Sequence, residues 1–165
     1  MVGAGASRVV RTVGDVAAWS ALALVLLVAG NVLARYLFSL GSVALQEAEW
    51  HLMAVGALFG MSYGLNRGEE VRVDVLYARF PPRARAAVDL VGNVLLGLVA
   101  VVVAWLSLGY VADSYTIGEG SPDPGGLPAR WLLKAALPLA FALLAVQAVA
   151  LACAAFERLR SPTTR

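Results

Sequence analysis

The chain has 165 residues, 60% of them apolar and 15% charged, and a mean hydropathy of +0.76. Soluble domains run at about 45–50% apolar and about 25% charged, and their helices bury one stripe and keep the rest polar. Here whole stretches are apolar on every face and the net charge is only +2, which excludes a disordered tail, a basic nucleic-acid binder and most soluble enzymes.

A bilayer core of about 30 Å takes roughly 20 apolar helical residues. The first such run covers about 16–34, and its stretch from Trp19 to Ala34 holds no charge. Arg8 and Arg11 precede it as they would in a signal peptide. However, the run exceeds the roughly 7–15 apolar residues of such a leader, and no small-x-small cleavage site closes it, so we expect a retained span. The second run covers about 46–66 and opens on Glu47, Glu49 and Trp50. Next comes a connection over 67–85 in which Val71, Val73 and Val75 alternate with polar residues, predicting an extended or short helical surface segment ended by Pro81 and Pro82. The third span covers about 86–111, with Asp89 near its start beside Arg85. A connection over 112–128 follows, whose part 118–128 holds four glycines and three prolines and reads as turns. The fourth span covers about 129–157; Pro138 removes the bond to the Lys134 carbonyl and predicts a kink.

Arginine placement sets the orientation. Arg8 and Arg11, then Arg67, Arg72, Arg79, Arg83 and Arg85, then Arg158, Arg160 and Arg165 share one side, against Arg35, Arg130 and Lys134 on the other. The expected fold is an all-α integral membrane protein with four transmembrane helices, one membrane domain over 1–165, and both termini and the 67–85 loop cytoplasmic.

Several side chains are candidates for packing or partner contact. Gly56, Gly60 and Gly64 recur every fourth residue on one face, which lets another backbone approach, either from a partner or from this chain's own helices. Glu47, Glu49 and His51 cluster beside Trp50 at the start of the second span. They form either a solvated helix start favoured by the helix dipole or an ion relay. Arg35, one turn after Asn31, either snorkels to the interface or pairs with Glu47 or Glu49. Asp74 has Arg72 and Arg79 nearby, and Asn93 and Gln147 are uncharged polar groups suited to bonds between helices. A single histidine excludes a bis-histidine haem, and one cysteine, Cys153, forms no internal disulfide or zinc cluster. No catalytic, cofactor-binding or metal-binding constellation is expected, and no enzyme activity.

The stretches NVLARYLF at 31–38, LQEAEWHLMAVGALFGMSYGL at 45–65, VRVDVLYARFPPRARAAVD at 71–89 and GEGSPDPGGLPARWLLKAALPLAFALLAVQ at 118–147 resemble the small membrane subunit, DctQ type, of tripartite ATP-independent periplasmic (TRAP) transporters. The resemblance implies a scaffold in the bacterial inner membrane, paired with a large permease subunit of the DctM type that carries the sodium and substrate sites. It also implies a periplasmic substrate-binding protein that delivers an organic acid. The loop acids Glu119 and Asp123 are then candidates for contact with that binding protein, and the Gly56/Gly60/Gly64 face for contact with the large subunit. Partners are membrane lipid and these proteins, not nucleic acid. Two other classes stay open: an autonomous homo-oligomeric exporter, for which Asp89 would be the essential acid, and a membrane anchor of a redox complex.

Overall fold

The computed structural model describes residues 2–39, 41–69 and 77–160, so Arg72 and Asp74 lie outside the described residues. The elements are α1 (Val2–Phe38), α2 (Val43–Arg67), α3 (Pro82–Thr116) and α4 (Trp131–Arg160), with no strand among the described residues. Their borders follow local chemistry. Ser42 caps α2 by accepting from the Leu45 amide, and Gly68, at φ +71°, closes it with its amide on the Leu65 carbonyl at 3.3 Å. Pro81 and Pro82 open α3 at the place the sequence predicts. α4 runs unbroken from Trp131 through Pro138.

α1 holds 37 residues, about 55 Å of helix, and begins well before the apolar run. Three helices are long and apolar enough to cross a membrane: Ser7–Phe38 within α1, and the whole of α3 and α4. α2 has 25 residues, but Glu47, Glu49 and His51 near its start make it less apolar than the other three.

The helices run up and down as two antiparallel hairpins. α3 against α4 is the most extensive contact and α1 against α2 the next, while α4 also touches α2 and α1. α4 is therefore the hub, and its buried face is built from Ala136, Ala140, Leu144, Ala148 and Ala152, four residues apart, with Ala145, Gln147 and Ala155 beside them. α3 answers with Ala86, Asn93, Ala100, Ser107 and Ser114 at seven-residue spacing, a repeat that keeps one seam on its partner along the whole length. A Cβ built on Gly97 would lie 3.7 Å from that of Ala148, so the two backbones come close there.

The α1–α2 hairpin depends on a glycine that the sequence pattern does not single out. A Cβ on Gly14 would overlap the Tyr63 ring, whose hydroxyl donates to Asp15 at 3.0 Å. Within the same hairpin Arg11 donates to Asn66 at 3.0 Å, and Asn66 in turn joins the two hairpins by donating to Gln147, 1% exposed, at 3.1 Å.

Ala148 is fully buried at the α3–α4 seam, whereas its neighbour Val149 is exposed. Ala148→Leu should lower stability by about 1–3 kcal/mol through overpacking, and Val149→Leu should leave it unchanged. Thermal unfolding of both variants in the same detergent checks the pair.

Candidate functional site

A dense polar cluster lies where the 117–130 connection folds over the start of α2. Glu47, in the second turn of α2, is 4% exposed. Its Oε1 accepts the Ser121 hydroxyl and has Arg130 Nη2 at 3.7 Å, and its Oε2 accepts the Leu127 amide at 2.6 Å. A buried carboxylate without partners is strongly destabilising; here a hydroxyl, an amide and a guanidinium compensate it.

The loop is shaped to present those donors. Its Ser121 amide donates to the Leu127 carbonyl at 3.0 Å. Between them the Gly126 amide donates to the Asp123 carbonyl at 3.0 Å, with Pro124 and then Gly125 at φ +81° in the middle of the turn. That is the pattern of a type II turn, where glycine supplies the positive φ. Gly126 has a second reason to be glycine: a Cβ there would overlap the Ser121 side chain and crowd Glu47.

A second pair fastens the loop to α4. Lys134 donates to the Glu119 carboxylate and lies 3.9 Å from the Tyr110 ring centroid. The Glu119 carbonyl accepts the Arg130 amide at 2.9 Å, which holds Ala129 at φ +58° just before the helix. Tyr115 and Trp131 stack edge to face, with centroids 5.3 Å apart. Glu47, Trp50, His51, Tyr110, Glu119 and Lys134 are among the lining of a cavity of about 220 Å³ under the loop. The arrangement is a clasp, in which acids and donors satisfy one another across three segments.

The singled-out residues separate into groups. Glu47 and Glu119 join in the clasp, while Asp123 stays exposed at the turn. His51 places Nδ1 at 2.7 Å from the Glu47 backbone carbonyl, not on its carboxylate. Glu49 accepts from Asn31 at 2.9 Å and so ties α1 to α2. The Arg35 guanidinium lies over the Tyr36 ring, 5.6 Å from its centroid, and Trp50 is exposed. In the glycine row, a Cβ on Gly56 would meet Ser20 of α1 at 2.9 Å, while Gly60 and Gly64 face open space.

At the opposite end, Asp89 accepts from the Tyr77 hydroxyl at 2.8 Å and faces Arg158 at 3.4 Å. Arg85 donates to the Ala78 and Phe80 carbonyls. Sequence reasoning did not find Ser121, Leu127 or Arg130 as partners of Glu47. No signal in the sequence points to them, because Glu47 stands there at the expected start of the second span, where an acid is ordinary.

A family model described as "Tripartite ATP-independent periplasmic transporters, DctQ component" matches residues 24–158 of this chain. A comparison with curated proteins finds no match.

The Lys134 ammonium holds the Glu119 carboxyl below the ordinary glutamate value, against the opposing effect of burial. A lowered carboxyl pKa contributes stability that is present at neutral pH and lost as pH falls through the lowered value. A spin label at Asp123→Cys, in a Cys153→Ala background, should report an ordered loop at pH 7 that loosens in acid. With Lys134→Met the loop should already be loose at pH 7 and change less on acidification.

Proposed function

The chain belongs to the DctQ family, the small permease component of TRAP transporters, and on that premise we propose that it is the fixed, non-transporting scaffold of a secondary transporter in the bacterial inner membrane. It pairs with a large permease subunit of the DctM type, and a periplasmic binding protein delivers an organic acid or related solute whose uptake is coupled to Na⁺. α2 is the fourth span. Both termini and the 67–85 connection are cytoplasmic, following the arginine distribution, and the clasped 117–130 loop is periplasmic.

The observation that carries this reading is the family match over 24–158. The exposed apolar surface supports it: Leu22, Val25 and Leu26 of α1 and Leu98, Val102 and Leu106 of α3 are exposed among the described residues, as expected of a subunit covered by lipid and by a larger protein. The open Gly60 and Gly64 extend a surface that another helix can approach closely. In this reading that face meets the large subunit, and the exposed Asp123 meets the binding protein.

Tagged chain recovered from native membranes in mild detergent should bring down a much larger multi-spanning protein in near one-to-one amount; recovery with itself alone would overturn the scaffold reading. Gly60→Leu should insert normally yet lose most of that partner. Asp123→Ala should slow uptake when the binding protein is limiting, and unchanged uptake would remove the loop contact.

A further inference from the structure

Glu47 belongs to the first helical hairpin, yet the groups that hold its carboxylate all belong to the connection of the second: the Ser121 hydroxyl, the Leu127 amide and Arg130. A helix start favours an acid through its dipole, but that effect does not bury the acid beneath a loop. Gly126 leaves no room for a side chain between the loop and the carboxylate. The hairpins are joined independently by Asn66 and Gln147, 3.1 Å apart, and by Leu65 of α2, which shares a buried cluster with Leu144, Ala145 and Ala148 of α4, so the bundle has contacts other than Glu47 with which to assemble.

We propose that Glu47 is a positioning residue: its buried carboxylate holds the 117–130 loop in the shape that receives the periplasmic binding protein, so that docking does not have to order the loop. This rests on the reading of that loop as the docking surface. A loop containing Gly118, Gly120, Gly125 and Gly126 has wide conformational freedom when released, and ordering it during association weakens affinity. Clasped to α2 before the partner arrives, it leaves the exposed Asp123 turn in place.

The test uses the complete two-subunit transporter in proteoliposomes with purified binding protein. Glu47→Ala should raise the binding-protein concentration for half-maximal uptake about tenfold, the scale of one lost charged hydrogen bond. Uptake at saturating binding protein and recovery of the large subunit should stay near wild type. Hydrogen exchange across 119–130 should quicken in the same variant before any binding protein is added. Glu47→Gln should recover most of the affinity, since its amide can accept from Leu127 and donate to the Ser121 oxygen; Ser121→Ala should fall between. Unchanged exchange with unchanged half-saturation overturns the clasp. Faster exchange with unchanged half-saturation keeps the clasp but overturns the loop as docking surface, and the positioning role with it. Loss of the large subunit, or a fall in the saturated rate alone, makes Glu47 a general structural residue and also overturns the proposal.

Discussion

In lipid an apolar side chain gains little by leaving the solvent for another helix, so a bundle coheres through close backbone approach and hydrogen bonds. α4 meets that constraint for the whole molecule. Its alanines let α3 come near enough for Gly97 to oppose Ala148 directly. On the same helix Gln147 accepts from Asn66 of α2, whose own oxygen is held by Arg11 of α1. Three helices thus depend on one small-residue face and one buried amide.

The two ends of the bundle divide the remaining tasks. At one end Asp89, Tyr77 and Arg158 fasten the start of α3 to the end of α4. At the other, Glu47 and Glu119 hold a loop whose composition alone would leave it free. Both ends bury or half-bury carboxylates against cations and hydroxyls. The fixation they supply differs: the first ties helix to helix, whereas the second ties a connection to a helix of the other hairpin.

Much of this was legible in the sequence. Long apolar runs gave the helices, paired prolines gave the start of α3, and the glycine–proline cluster gave the loop. The misses share a cause, which is long-range pairing. Gly14 looks unremarkable until Tyr63, on the next helix, packs against it. Ser121 and Leu127 reach Glu47 across 74 and 80 residues. The alanine row of α4 is invisible to hydropathy, because alanine within an apolar run offers no contrast from which to read a face. Conversely, Gly56, Gly60 and Gly64 look equivalent by spacing, yet among the described residues a Cβ would meet α1 at Gly56 and nothing at Gly60 or Gly64. α1 extends fourteen residues ahead of the expected 16–34 span; Arg8, Arg11 and Asp15 lie in that extension, and charge does not prevent helix formation.

Polar ties between helices also bear on what kind of part this is. Asn31 is committed to Glu49, and Asn66 to Gln147 and Arg11, each a tie between helices; such ties average about 0.6 kcal/mol. A subunit that carries cargo across the membrane needs polar groups that change partners as it moves. Mutual pairs set between packed helices resist that exchange, and a seam of mostly small side chains at seven-residue spacing resists sliding, because a shift would set the larger neighbours against the small positions. The internal bonding of this chain therefore suits an element that stays still. On the proposed scaffold reading, the broad apolar surfaces of α1 and α3, Trp105 among them at 74% exposed, are the faces along which a stationary frame meets lipid and the part that moves.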